Sequence, residues 1–89
     1  MTIVVVNWNR RELLRRCLCS LEGQRGVDFE VIVVDNGSAD GSAEMVAAEF
    51  VGKAGFSCRL IVNRENRGFC AANNQGIFSG EGEFVALLN

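Results

Sequence analysis

Four short runs of consecutive apolar residues constrain the fold of this chain more than any other feature of its sequence. They cover residues 3–6, 31–34, 60–62 and 84–88, and the β-branched residues Val and Ile make up the first two. Runs without an intervening polar residue are typical of strands covered on both faces, which is the condition of a parallel sheet. Apolar residues at helical spacing separate the runs. We therefore predict an α/β fold in which four strands alternate with three helices.

Parallel strands need crossover connections, which are almost always right-handed. The alternating pattern then predicts a Rossmann-like three-layer α/β/α arrangement with strand order 3-2-1-4. Asn9, with Glu12 three residues later, predicts a capping box for the first helix, and Asp40 predicts the cap of the second. The stripes that we expect to face the sheet are Leu13, Leu14, Cys17, Leu18 and Leu21, then Ala43, Val46, Ala47 and Phe50, then Phe69, Ala72, Gly76 and Ile77.

The composition excludes several partners. The net charge is −2 and the arginines are dispersed among acids, whereas nucleic-acid binding usually needs a basic stripe. No apolar run approaches the roughly 20 residues that cross a bilayer, and the opening run is too short for a signal segment. We therefore expect a cytoplasmic chain with no transmembrane segment and no nucleic-acid partner. Four cysteines without a histidine or a C-x-x-C spacing indicate small buried thiols rather than a metal site or disulfides.

Polar segments follow the predicted strands, where ligands bind in open α/β sheets. This rule selects residues 7–9, residues 35–38 and the position after Leu88. A dinucleotide-binding enzyme would carry G-x-G-x-x-G after its first strand, but residues 7–12 contain no glycine. Trp8 is there either as a flat surface for a nucleobase or ribose, or as an aromatic plug over the edge of the sheet.

Four further polar residues are candidate ligand contacts, and three of them, Asp35, Asn66 and Arg67, have a structural alternative. Asp35 either accepts hydrogen bonds from a base or a sugar hydroxyl, or forms the turn that Asp-Asn-Gly-Ser favours. Asn36 both donates and accepts, which suits a base edge. Asn66 suits a turn or a helix cap as well as a ligand contact. Arg67 either meets a diphosphate in bidentate fashion or stays solvated.

Four segments of the chain resemble the start of a family 2 glycosyltransferase of the GT-A fold. They are residues 3–9, 29–42, 66–77 and 82–89, in family order and over essentially the whole chain. The last segment resembles the strand before the family's metal-binding D-x-D, whose first position falls on Asn89. The resemblance implies that residues 1–89 are the N-terminal nucleotide-sugar-binding portion of one incomplete GT-A domain, which stops before the second acidic residue.

The resemblance also implies the ligands. A nucleotide-sugar donor would lie across the first two strands, with a divalent Mn²⁺ or Mg²⁺ ion on its diphosphate. The chain departs from the family at Asn36, where Asp is common, at Asn73, where Arg is common, and at Asn89. The last departure resembles the rhamnosyltransferase-like branch, which implies a dTDP-sugar donor. The donor-binding positions are Val6, Asn7, Trp8, Asn9, Asp35, Asn36, Asn66, Arg67 and Asn73, and the metal position is Asn89.

The activity that the resemblance implies is transfer of a sugar to an acceptor hydroxyl, with inversion, in cell-wall or polysaccharide biosynthesis. The acceptor would be a saccharide or lipid-linked, and the parent protein would act at the inner face of the membrane. We expect residues 1–89 alone to be inactive, without catalytic base, and to self-associate through the exposed edge of the last strand. Two alternatives stay open: a non-catalytic nucleotide-binding α/β module, and a Rossmann-type oxidoreductase, against which the missing glycines argue.

Overall fold

Strands and helices alternate along the chain as predicted. The computed structural model describes residues 1–23 and 29–80, together with the backbone of residues 85–88. The elements are β1 (Thr2–Asn7), α1 (Arg11–Glu22), β2 (Glu30–Asp35), α2 (Ser42–Glu49), β3 (Ser57–Val62), α3 (Phe69–Ser79) and β4 (Val85–Leu88). All four strands are parallel and lie in the order β3-β2-β1-β4, which is the predicted order.

The register of the strands aligns three of their carboxyl ends. The pairing of β1 with β2 finishes with Asn7 beside Asp35, and the pairing of β2 with β3 finishes with Asp35 beside Val62. β4 pairs with the earlier part of β1 and reaches Val5 with its last residue, Leu88. The segments that leave β1, β2 and β3 therefore emerge next to one another at one edge of the sheet.

The apolar runs supply two core layers because successive residues of a strand face opposite sides of the sheet. α1 and α2 cover one face, and α3 covers the other. The first layer consists of Ile3, Val5, Leu14, Leu18, Val31, Val33, Met45, Val46, Phe50 and Cys58. The second consists of Val4, Ile32, Val34 and Ala72. The three-layer arrangement predicted from the sequence is confirmed.

The predicted coverage of β3 is wrong. β3 is an edge strand that starts at Ser57, three residues before its apolar run, and only Cys58 in it is fully buried. Val62, at its end, is 58% exposed. Ser57 and Arg59 are exposed, and β3 has no neighbour on its outer side among the described residues. The apolar pattern of a strand covered on both faces therefore does not extend to these two residues.

Three helical stripes are only partly as predicted. In α2, Met45 is buried, whereas Ala47 is exposed. The buried residues of α3 are Ala72, Asn73 and Gly76. The side chains that we expected to be buried, and that are instead substantially exposed, are Leu13, Phe69 and Ile77. Small residues face the sheet on α3 because the helix lies close to β1, where larger side chains have no room.

The predicted capping box of α1 is wrong. The helix begins at Arg11, and its N-cap, Arg10, makes no side-chain cap hydrogen bond. The backbone N–H of Arg11 instead donates to Oδ2 of Asp40, at 3.0 Å. Asn9 has a φ of 51° and lies outside the helix, and Glu12 forms ion pairs along the surface of α1. A residue from the loop after β2 therefore replaces the local cap.

The predictions from composition have mixed outcomes. All four cysteines are free, and Cys58 is buried, but Cys19 and Cys70 are exposed, so the prediction of buried thiols is wrong for those two. Burial raises the pKa of the Cys58 thiol to about 11 and also raises that of Cys17. Within the described part of the chain, no helix has the length and apolar character of a membrane span.

Candidate functional site

Three loops meet at the carboxyl edge of the sheet. They are residues 8–10 after β1, residues 36–41 after β2 and residues 63–68 after β3. The parallel pairing continues just beyond the strands, because the N–H of Asn36 donates to the carbonyl of Asn7 at 2.8 Å and that of Asn63 donates to Asp35 at 2.9 Å. The loop after β2 therefore lies between the other two, and most hydrogen bonds of the site pass through it.

The carboxylate of Asp35 is buried and engaged with its neighbours. Only 1% of the residue is exposed. Its Oδ1 accepts from the Ser38 hydroxyl at 2.7 Å and from Nδ2 of Asn7 at 3.2 Å, and its Oδ2 accepts from the Ser38 N–H at 3.0 Å. A carboxylate offers about four acceptor positions, so roughly one remains for a ligand. Asp35 therefore closes the turn, as one of its two interpretations predicts.

The amide of Asn36 has no unused hydrogen-bonding capacity. Its Oδ1 accepts from the N–H of Arg67 at 2.9 Å and from Nδ2 of Asn63 at 3.2 Å. Its Nδ2 donates to Oδ1 of Asn66 at 3.0 Å and to the carbonyl of Gly68 at 3.3 Å. Because an amide group offers two donors and two acceptor lone pairs, a nucleobase could bind Asn36 only by displacing one of these contacts.

Asn66 and Arg67 lie in the turn before α3. Oδ1 of Asn66 accepts from the N–H of Gly68 at 2.7 Å as well as from Asn36, which is the geometry of a turn-forming asparagine. The side chain of Arg67 is exposed and forms no ion pair with another described residue. Its guanidinium is therefore available to an anionic ligand at this edge.

Trp8 borders a cavity of about 270 Å³ at the end of β1. The residue is 53% exposed, so most of its indole surface is open to a ligand. This volume lies just below the range of roughly 300–1,000 Å³ that is usual for small-molecule sites. Its lining combines an apolar floor with polar residues of the three loops: Val5, Val6, Asn7, Trp8, Arg10, Leu13, Leu14, Cys17, Asn36, Asn66 and Phe69.

Arg10 is a candidate that the sequence analysis missed. Its side chain lines the same cavity as Trp8, is exposed and pairs with no acidic side chain of the described residues. Arg11, the next residue, is by contrast tied to Asp40 and Glu12. In the sequence alone the two arginines are indistinguishable, and only their different surroundings separate them.

The segment around Trp8 is held by the loop after β2. Nδ2 of Asn7 donates to Oγ of Ser38 at 3.3 Å, and the N–H of Asn9 donates to the same oxygen at 2.9 Å. Oδ1 of Asn9 accepts from the N–H of Ala39 at 2.7 Å. Asn7 and Asn9, both predicted as ligand contacts, thus bind protein groups on either side of Trp8. Ser38 is a second residue whose role the sequence did not indicate.

Asp40 connects the starts of two helices. Its Oδ1 accepts from the hydroxyl of Ser42 at 2.5 Å and from the Ser42 N–H at 3.0 Å, while Oδ2 accepts from the N–H of Arg11. Asp40 precedes the assigned N-cap of α2, Gly41, by one residue. The hydroxyl of Ser42, and then the two backbone N–H groups, hold the pKa of this carboxyl below its usual value.

Asn73 carries an acceptor without a partner. The residue is 6% exposed, and its Oδ1 forms no hydrogen bond within the described part of the protein. Leaving such a buried group unpaired costs about 1–3 kcal/mol, which a ligand group that donates a hydrogen bond would recover. Asn73 lies on the sheet face of α3, whose N-terminus adjoins the loop after β3, and it does not line the cavity beside Trp8.

The described residues do not by themselves fit a divalent cation. Hard cations take six or more oxygen ligands, often from carboxylates. No group of three or more His, Cys, Asp or Glu side chains occurs in residues 1–23 and 29–80. Asp35, the buried carboxylate at the edge, is already engaged by Asn7 and Ser38. Asn89, the predicted metal position, lies outside the described residues.

Three known proteins are similar to this chain in sequence or in fold. The succinoglycan biosynthesis protein ExoO of Rhizobium meliloti is 37% identical over 89 residues, which are 100% of this chain and 24% of that protein. The mannosyltransferase PcManGT of Pyrobaculum calidifontis, solved in complex with GDP-Man and Mn²⁺, has a TM-score of 0.83 and 30% identity over 94% of this chain and 25% of its own. TarS 1–349 of S. aureus has a TM-score of 0.85 and 27% identity over 98% of this chain and 26% of its own.

The chain thus spans about a quarter of the length of each of these proteins. The sequence model of glycosyl transferase family 2 matches residues 2–89. The match includes all three loops of the carboxyl edge, and the solved structures share the parallel sheet that places them. The chain therefore belongs to glycosyl transferase family 2.

Proposed function

We propose that residues 1–89 are the N-terminal nucleotide-sugar-binding portion of a GT-A glycosyltransferase. The full-length enzyme transfers a sugar from a nucleoside-diphosphate donor to an acceptor hydroxyl, and the anomeric centre is inverted in a single displacement. The observation that carries this proposal is the exposed indole of Trp8 on a cavity at the carboxyl edge of the sheet. A flat aromatic surface at this position suits a nucleobase, which stacks on aromatic side chains.

The donor lies with its base against Trp8 and Val6 and its diphosphate toward the free cations of the edge. Arg10 and Arg67 are exposed and unpaired among the described residues, and guanidinium groups bind phosphate oxygens in bidentate fashion. The remaining acceptor position of Asp35 accepts one hydrogen bond from the base or the ribose. The loops of this site are held in place by the side-chain contacts of Asn7, Asn9, Asn36 and Asn66. Asn73 offers its unpaired Oδ1 to the donor.

A divalent ion, Mn²⁺ or Mg²⁺, belongs to this proposal as a cofactor of the full-length enzyme. The PcManGT complex with GDP-Man and Mn²⁺ supports it for a related protein. We assign Asn89 as one ligand, and the others come from residues outside the described part of the chain. The name of ExoO supports a role in polysaccharide biosynthesis. A saccharide or lipid-linked acceptor, and a site of action on the cytoplasmic side of the membrane, stay predictions. A dTDP-sugar donor, from the rhamnosyltransferase-like branch, stays a prediction.

The test is isothermal titration of the full-length enzyme with GDP-mannose, UDP-glucose and dTDP-rhamnose. Trp8→Ala should weaken binding of the donor that is recognised by about 1–3 kcal/mol, the usual contribution of an aromatic side chain that stacks on a base. Asp35→Ala should weaken it by a similar amount, roughly 1–3 kcal/mol, because it leaves a partner unpaired. Asn74→Ala, at an exposed position of α3 next to Asn73, is the matched control and should change nothing.

Two results would contradict the proposal. One is that none of the three nucleotide sugars binds. The other is that Trp8→Ala leaves the affinity unchanged while the variant remains folded. Release of free nucleoside diphosphate in the presence of acceptor then separates a transferase from a module that only binds nucleotides.

A further inference from the structure

The hydroxyl of Ser38 joins the loop after β2 to both residues that flank Trp8. Oγ of Ser38 donates to Oδ1 of Asp35 at 2.7 Å and accepts from Nδ2 of Asn7 and from the N–H of Asn9. A hydroxyl offers one donor and two acceptor positions, so all three are occupied. The N–H of Ser38 also donates to Oδ2 of Asp35, at 3.0 Å, which fixes the serine itself.

The backbone next to Trp8 needs this support. Asn9 has a φ of 51°, in the left-handed region, which asparagine adopts more readily than most residues other than glycine but which still costs energy relative to the right-handed region. Such a conformation persists only where its surroundings hold it. Here the N–H of Asn9 is bound by Ser38 and its side-chain oxygen by the N–H of Ala39. The conformation of Asn9 therefore depends on the two consecutive residues of the loop after β2.

Burial does not determine where the indole of Trp8 lies. The residue is more than half exposed, whereas Asn7 before it is almost fully buried. An exposed side chain on a loop keeps one orientation only if the backbone that carries it is fixed on both sides. On one side the backbone of Asn7 is fixed by its pairing with β2, and Ser38 binds its side chain. On the other side the contacts that fix Asn9 come from Ser38 and Ala39, which are 29 and 30 positions away in the sequence.

We infer that Ser38 is a positioning residue for donor binding, which acts by holding Trp8 at the edge of the cavity. The effect of Ser38 on donor binding rests on the proposed function. The positioning of Trp8 by Ser38 rests only on the geometry of residues 7–9 and 35–39. Asp35 belongs to the same hydrogen-bond network, because its carboxylate accepts from both the hydroxyl and the N–H of Ser38. The carboxylate at the end of β2 thus acts on the donor site through Ser38 as well as directly.

The experiment uses the full-length enzyme labelled with 5-fluorotryptophan, in which the Trp8 resonance is the one that disappears in Trp8→Phe. In Ser38→Ala without ligand, we expect this resonance to shift and to narrow, because the indole gains mobility. The Kd of the donor should rise about tenfold, which corresponds to about 1.4 kcal/mol. Ser38→Thr keeps the hydroxyl and should restore both the spectrum and the affinity.

Ser20→Ala is the matched control, since it removes a serine hydroxyl that donates to the carbonyl of Cys17 at 2.7 Å on the exposed side of α1. It should leave the Trp8 resonance and the Kd unchanged. If Ser38→Ala does not fold, Asn9→Gly provides the second test, because it removes the contact with Ala39 and frees the backbone. The Trp8 resonance should then narrow in the same way.

The inference is overturned if neither Ser38→Ala nor Asn9→Gly changes the Trp8 resonance, or if Ser38→Thr behaves like Ser38→Ala. Lack of donor binding by the unaltered enzyme would instead refute the proposed function. In that case the spectra of the ligand-free protein still decide whether Ser38 positions Trp8, so that the two failures are distinguishable.

Discussion

Gly76 is a position of close approach between α3 and β1, and we predict that Gly76→Ala destabilises the protein. A Cβ added at Gly76 would lie 2.3 Å from Cγ1 of Val4, 3.0 Å from its Cγ2 and 3.2 Å from its Cβ. Carbon atoms in favourable contact are about 3.5–4.0 Å apart. Val4 cannot move away, because it is 0% exposed in the middle of β1 and its side chain is β-branched and stiff.

The expected magnitude follows from two opposing terms. Replacing glycine by alanine inside a helix gains about 1 kcal/mol, because the unfolded chain loses conformational freedom. Overpacking of a well-packed core costs about 1–3 kcal/mol. The added Cβ would lie more than 1 Å inside the favourable contact distance from a rigid side chain, so α3 must shift and the overpacking cost lies at the upper end of its range. After the gain of about 1 kcal/mol is subtracted, the net loss in free energy of unfolding is about 2 kcal/mol.

The assay is urea-induced unfolding followed by far-ultraviolet circular dichroism. The unfolding midpoints of the native protein and of Gly76→Ala are compared with one common slope of the unfolding free energy against urea concentration. Gly55→Ala is the control, because a Cβ there has no atom within 4 Å and its stability should change by less than about 0.5 kcal/mol. Val4→Ala removes the opposing methyl groups, so the two substitutions together should cost less than the sum of their separate effects. A Gly76→Ala protein as stable as the native one, or strict additivity with Val4→Ala, would refute the reasoning.

Two further predictions concern ionisable groups. Because the folded-state pKa of Asp40 is lowered, its contribution to stability is present above the unfolded pKa of about 3.9 and is lost as the pH falls through the folded value. Asp40→Asn should therefore lose less stability than the native protein between pH 7 and pH 3 in thermal unfolding scans, and an equal loss would contradict this. Cys58, buried with a pKa of about 11, should resist iodoacetamide at pH 8 until urea unfolds the protein. Cys19 and Cys70 should react first, and mass spectrometry of peptides would expose the opposite order.

Much of the fold follows from the sequence because the period of apolar residues is a local property. The runs at 3–6 and 31–34 predict β1 and β2, which are the central strands covered on both faces. The order of the parallel strands is the predicted one, and with right-handed crossovers it places α1 and α2 on one face and α3 on the other. Prediction was poorer at the edges, where Cys58 is the one buried residue of β3. On α3, Ala72 and Gly76 face the sheet as predicted, whereas Phe69 and Ile77 are exposed.

The polar site depended on tertiary structure to a greater degree. The sequence placed Trp8 and Asp35 at the ends of neighbouring strands, and the register confirms that position. It did not show that the groups of Asp35 and Asn36 are mostly taken up by other loops, or that Asp40 replaces Asn9 at the start of α1. These partners lie about thirty positions apart in the chain. A polar side chain can bind any suitable neighbour, and the sheet register alone decides which neighbours meet.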